Sequence, residues 1–196
     1  YSVEDVARII DHASSLGISV MPEIEIPAHS MALVKVIPEM RDSEDRSCEE
    51  SVQGYAENTI NPAMSATWEF LGKVIPEVCN LFPFGVIHLG CDELPRKIWQ
   101  SSPAIEKLKE KEGLKSTEDV QEWTMQRAAR IVAEAGGRPA AWEEAGTGQN
   151  GGIGNDALLF SWNGLEPGLQ AAREGYEVVM CPAQHVYFDM AHTAEV

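Results

Sequence analysis

Val86-Ile87-His88-Leu89-Gly90-Cys91-Asp92-Glu93 joins a short apolar run to two adjacent carboxylates. The run has the length and character of a buried strand, and the acids fall where such a strand must end. One carboxyl of such a pair can donate and accept a proton while the other stays ionised beside developing positive charge, which is the division of labour hydrolytic chemistry requires. Adjacent acids are also common on solvated loops, because carboxylates prefer water. The surrounding pattern decides between the two readings.

Outward from this stretch, apolar runs recur at 18–21, 139–142, 157–162 and 177–181. Helical patterns separate them. Ser2 with Asp5 caps a helix carrying Val6, Ile9, Ile10, Ala13 and Leu16 and stopped by Gly17. Asn61-Pro62 opens a second, with Trp68, Leu71, Ile75 and Val78 on one face and Pro76 expected to kink or divide it. Ser102-Pro103 starts a third, through Lys111. Ser116 with Asp119 starts a fourth that ends at Gly136-Gly137, and Pro167 a fifth that stops at Gly175. The polar stretch after His29, to about Thr59, reads as a long functional or mobile loop. The glycine-rich segment 146–154 lacks a Gly-Lys-Ser/Thr ending and a G-x-G-x-x-G opening a helix, so it reads as a flexible loop and not a phosphate cradle.

Continuous apolar strands alternating with helices predict an α/β fold with a parallel sheet covered on both faces. Each strand is followed by residues suited to chemistry or sugar contact: Glu25 and His29; Asp92 and Glu93; Trp142 and Glu144; Trp162; Tyr187 and Asp189. In a parallel barrel these positions converge on one face. An open doubly wound sheet also collects strand ends on one edge, but five such sets around an axis form a pocket more naturally.

Composition narrows the partners. The chain has 196 residues, 44% of them hydrophobic, which suits one substantial core. A formal charge of −16 without a Lys or Arg block disfavours nucleic acid and anionic membranes, and no segment reaches the roughly 18 apolar residues of a membrane span. Cys48, Cys79, Cys91 and Cys181 show no metal or disulfide spacing and are expected to be free thiols. Tyr1 already lies in a helical pattern, so the chain reads as an excerpt of a longer one.

Several segments, in order, resemble the catalytic domain of family 20 glycoside hydrolases, the β-N-acetylhexosaminidases. Pro22-Glu23-Ile24-Glu25-Ile26-Pro27-Ala28-His29 resembles the family's P-E-[IF]-[DE]-x-P-[GA]-H, His88 to Glu93 its H-[IL]-G-G-D-E, and Trp142-Glu143-Glu144 its W-[DE]-E. Trp162 and Tyr187-Phe188-Asp189-Met190 resemble its barrel tryptophan and Y-x-D-M. Cys91 replaces the second glycine, a change expected to narrow the pocket floor.

The resemblance implies an incomplete (β/α)8 barrel, about the third to seventh strands, with residues 1–196 forming part of a single catalytic domain. It implies no cofactor and no metal, and a carbohydrate partner bearing N-acetylhexosamine, hydrolysed with the sugar's own 2-acetamido group as nucleophile. Asp92 and Glu93 would then be catalytic, orienting the acetamido group and acting as general acid/base. His29 would join their network with Glu25 as a possible partner. Trp142, Trp162, Tyr187, Asp189, Glu25 and Glu144 would contact substrate, with bracing of the pocket as the alternative role for Glu144. His88 is expected to bond internally. Periplasmic, secreted or lysosome-like location follows from the family alone. The residues leave two alternatives open: a non-catalytic sugar-binding protein or inactive fragment, and a metal-dependent hydrolase using His29, His88, Asp92 and His185, although no H-x-H or H-E-x-x-H pattern is present.

Overall fold

The computed structural model describes residues 1–47, 54–55, 58–95 and 97–189; Cys48 and Met190 lie outside the described residues. Five parallel strands pair in chain order: β1 (Glu23–Ile26), β2 (Val86–Gly90), β3 (Arg138–Trp142), β4 (Leu158–Ser161) and β5 (Glu177–Met180). This order never reverses, so the sheet has no switch point of the doubly wound kind and has the strand order of a barrel arc. The helices α1 (Val3–Ser15), α2 (Met31–Val36), α3 (Ser65–Leu81), α4 (Pro103–Glu112), α5 (Thr117–Glu134), α6 (Glu166–Arg173) and α7 (Ala183–Val186) connect and follow the strands.

Alternation along β2 sorts the sheet into two faces. Ile87 and Leu89 point into the main core with Leu71 and Ile75 of α3, Met125, Ala128 and Val132 of α5, and Ala141 and Leu159 of the neighbouring strands. Val86 points the other way, into a small apolar layer with Ala140 and Leu158. One step up the same inner face, the rings of His88, Trp142 and Phe160 meet edge to face at centroid distances of 4.9 to 6.3 Å. The acids crown this aromatic layer. The inner face therefore changes from apolar to aromatic to ionisable toward the carboxyl ends of the strands, where barrel chemistry is placed.

Serine capping signals translate directly into helix starts. Ser2, Ser102 and Ser116 each accept a backbone N–H three residues on, and Asp5 and Asp119 return the bond to the Ser2 and Ser116 N–H groups. Four expectations need correction. The first strand is Glu23–Ile26, not 18–21; Ile18 is 57% exposed and unpaired with the sheet, whereas Glu23 and Ile26 register with His88 and Gly90. The alternating Glu-Ile letters of β1 suit a strand with one acidic and one apolar face.

The second helix begins at Ser65, because Asn61 is spent elsewhere: its Oδ1 accepts the Ala63 N–H at 2.9 Å and its Nδ2 donates to Ser102 Oγ at 3.1 Å. Pro76 sits inside α3 without dividing it. Leu71 and Ile75, both fully buried, anchor the helix across the turn that lacks Pro76's N–H. The segment after His29 contains α2 and a 3-10 turn, Pro38–Met40, in its described part.

The glycine-rich segment is also more ordered than a flexible loop. Glu122 of α5 is 3% exposed and reaches into it. Its Oε1 accepts the Asn150 and Gly152 N–H groups at 2.8 and 2.7 Å, and its Oε2 accepts Asn150 Nδ2 at 2.9 Å. Gly148 is required for this approach, since a methyl group there would stand 2.5 Å from the Glu122 carboxyl carbon.

Candidate active site

Glu23, Glu25, His29, Asp92, Glu93, Trp142, Trp162, Tyr187 and Asp189 line one cavity of about 440 Å³ at the carboxyl ends of the strands. The structure thus gathers every residue singled out from the sequence except Glu144, which stands behind the wall. Its carboxylate oxygens accept Trp162 Nε1 at 3.2 and 3.3 Å, so it braces the indole. Burial pushes the Glu144 carboxyl up to about 7.

His29 joins the two adjacent acids. Its Nε2 lies 3.2 Å from Asp92 Oδ2 and 3.3 Å from Glu93 Oε2. The expected His29–Glu25 pairing gives way to this arrangement, and Glu25 lies instead against Asp92 and Glu23. The loop carrying His29 is pinned from both sides. Ser30 Oγ donates toward the Glu25 and Ala28 carbonyls, Ser30 N–H donates to Asn58 O, and Ile60 N–H donates to Pro27 O.

Three non-glycine residues here hold left-handed backbone: His29 (φ 51°), Cys91 (φ 74°) and Glu93 (φ 49°). Each such residue costs on the order of 1–2 kcal/mol, which the surrounding bonds must offset. The left-handed turn at Cys91 and Glu93 is what lets consecutive residues serve one cavity. It also explains the family glycine resembled at position 91. Cys91 itself does not form the pocket floor: it is fully buried in the main core, where burial holds its thiol pKa well above the ordinary value.

Three acids were missed from sequence as site builders. Glu23 Oε1 accepts Trp142 Nε1 at 3.0 Å and lies 2.9 Å from His88 Nδ1. Burial raises the Glu23 pKa, but the hydrogen bond and charge of His88 outweigh it, so the net shift is downward. Period-2 alternation in Glu23-Ile24-Glu25-Ile26 was the available signal, because it puts both acids on one face. Glu143, 5% exposed, accepts the Trp162 and Asn163 N–H groups at 3.0 and 2.9 Å and so fixes the backbone under the second tryptophan. Glu122 holds the loop that follows it. His88 bonds internally as expected.

Burial and the neighbouring Asp92 and Glu23 charges push Glu25 up to about 9. Burial also raises Asp92, opposed by the attraction of His29. Gly90 makes room for Glu25: it has φ 68°, and an added methyl would collide with Glu25 Oε2 and lie 2.8 Å from its Cδ. Gly90→Ala is expected to lower stability by about 2 kcal/mol or more, read as a depressed thermal midpoint. An unchanged midpoint would show that the Glu25 contact is not constraining.

Nitrogen and oxygen donors of His29, Asp92 and Glu93 lie within 4.8 Å of one another and could also reach one divalent cation. Of the other two histidines in the metal alternative, His88 is held at Glu23 and His185 is exposed on α7. The described residues contain no helix long and apolar enough to cross a membrane.

A parallel arc with adjacent acids above an aromatic layer, walled by two tryptophans, defines a glycosidase-type barrel site. The model for the catalytic domain of glycosyl hydrolase family 20 matches residues 1–196, and the chain belongs to that family. A β-hexosaminidase of Vibrio furnissii is 36% identical over 192 residues, covering 97% of this chain and 31% of that protein. One from Porphyromonas gingivalis is 30% identical over 182 residues, covering 93% and 23%.

Among solved structures, the Vibrio harveyi family 20 exo-β-N-acetylglucosaminidase in complex with N-acetylglucosamine superposes with a TM-score of 0.92 at 36% identity, covering 97% of this chain and 30% of that one. The Flavobacterium johnsoniae chitobiase gives 0.80 at 28% identity, covering 93% and 28%. The chain therefore spans under a third of the length of these relatives, and its five strands are part of a (β/α)8 barrel.

Proposed function

We propose that the intact protein is a β-N-acetylhexosaminidase, releasing terminal N-acetyl-β-D-hexosamine from glycans or chitooligosaccharides with retention, and that residues 1–196 are part of its single catalytic barrel domain. The observation that carries this reading is the His29 imidazole bridging Asp92 and Glu93 at 3.2 and 3.3 Å in the tryptophan-walled cavity.

In the first step the carbonyl oxygen of the sugar's 2-acetamido group attacks the anomeric carbon as the glycosidic bond breaks. Glu93 protonates the departing oxygen. The resulting oxazolinium carries positive charge, which Asp92 stabilises while accepting the acetamido N–H. In the second step Glu93 removes a proton from water as it attacks the anomeric carbon, and the acetamido group is restored. His29 fixes the orientation of the two carboxyls, its Nε2 standing between their facing oxygens. Trp142 and Trp162 wall the acetamido group and the sugar face, Tyr187 donates to the acetamido carbonyl, and Asp189 accepts from sugar hydroxyls. The strongly acidic lining suits a neutral sugar and disfavours an anionic one.

Hydrolysis of a chromogenic N-acetyl-β-glucosaminide, but not of the matching β-glucoside, with inhibition by an oxazoline-mimicking thiazoline, is the expected result. No turnover of either by folded protein would favour sugar binding without catalysis. The three-donor arrangement keeps a metal-dependent reading in view, and a chelator separates the two. Turnover is expected to be unchanged in excess EDTA; loss restored by a divalent cation would overturn the substrate-assisted assignment.

A further inference from the structure

The geometry points to Glu25 as a positioning residue for Asp92, a carboxyl group that donates a hydrogen bond to it and so holds it as an oriented acceptor. The inference rests on the proposed reaction for its catalytic meaning. Its structural basis is a mismatch between oxygens and donors. Glu23 Oε1 already receives Trp142 Nε1 and faces His88 Nδ1, and Asp92 Oδ2 already faces His29 Nε2. Of the other oxygens, Glu25 Oε2 and Asp92 Oδ1 are buried and meet no donor among the described residues.

Three carboxyls in contact with only acceptors left over need a proton between them. Glu25 is the member suited to carry it. Glu23 and Asp92 each face a histidine, which favours their ionised forms, whereas Glu25 lies between those two acids and is placed over Gly90, where no side chain intervenes. The buried environment works in the same direction, pushing Glu25 up to about 9. Other ionisable groups facing this cluster are His29 from the loop after β1, His88 from β2, Cys91 and Glu93 beyond β2, Glu143 and Glu144 beyond β3, and Tyr187 and Asp189 beyond β5. A proton on Glu25 gives this cluster the donor that its buried oxygens lack, with Asp92 among the carboxyls in contact with it. It also leaves a lone pair on each Asp92 oxygen for the substrate N–H. In the reaction, a fixed Asp92 meets the developing oxazolinium charge without having to reorganise.

The test compares Glu25→Gln with Glu25→Leu in the intact protein. Gln retains an N–H donor of similar length; Leu retains the bulk alone. On a chromogenic N-acetyl-β-glucosaminide, kcat is expected to fall less than about tenfold for Gln and by about a hundredfold or more for Leu, with KM changed far less than kcat. Equal losses in the two variants, with native circular dichroism, would overturn the inference. Infrared difference spectroscopy at pH 7 gives a readout independent of turnover: a carboxylic-acid C=O band present in the unmodified protein and absent from Glu25→Gln is expected. Absence of that band difference would overturn the inference even if both variants lose activity or if Leu prevents folding. If the unmodified protein hydrolyses no hexosaminide, the proposed function fails, and the infrared result alone decides whether Glu25 is the donor.

Discussion

Glu93→Gln is expected to lower kcat by about 10³-fold on N-acetyl-β-hexosaminides with poor leaving groups while leaving binding of N-acetylglucosamine nearly intact. The amide keeps the size of the side chain and can still contact His29, which lies 3.3 Å from Glu93 Oε2. It cannot deliver a proton to the glycosidic oxygen. A leaving group acidic enough to depart as an anion needs no such proton, so a dinitrophenyl glycoside is expected to lose much less in the glycosylation step. Steady-state rates across leaving groups of graded acidity therefore check the assignment: a steepened dependence in the variant is expected. Hydrolysis of an alkyl glycoside at the unmodified rate would refute Glu93 as the general acid.

Asp92→Asn is expected to cost about 10² to 10³ in kcat/KM on 2-acetamido sugars, because it replaces a charge with a dipole beside the developing oxazolinium. The cost should exceed any change in stability, since Asn fits the same volume. Affinity for a protonated thiazoline should fall in parallel with the rate, as both depend on the same charge. Calorimetric titration beside kinetics checks this, and an undiminished rate in a normally folded variant would remove Asp92 from the mechanism. The two substitutions differ in signature: loss at Glu93 follows the leaving group, whereas loss at Asp92 follows the acetamido charge.

The fold was legible where a strand's letters and its surroundings agree. Val86 to Leu89 is apolar because β2 is buried on both faces, and its polar stop at Asp92-Glu93 marks the edge of the sheet. The first strand is hard to read because three apolar letters at 18–21 outweigh the alternation at 23–26, whose acidic face is stabilised by His88 and Trp142, partners distant in sequence. Helix starts were legible at serines, whose caps are local, and not at Asn61, whose side chain bonds to Ser102, the residue that caps α4. Asp92, Glu93, His29 and the aromatic wall were legible because polar residues at the ends of successive strands converge. Glu143 and Glu122 were not, because a charged letter on a helix or a turn reads as solvated until the structure supplies backbone N–H groups for it to receive.

The bond between Glu122 and the glycine-rich segment has a consequence for how this catalytic arc can be varied. The segment's own letters hold little of its form; the template is a carboxyl group on a preceding helix, about 28 residues upstream. Transplanting residues 146–154 alone into a related barrel would carry over a string of glycines and none of its shape. The unit of exchange, for an engineer or for recombination, is the helix and the loop together.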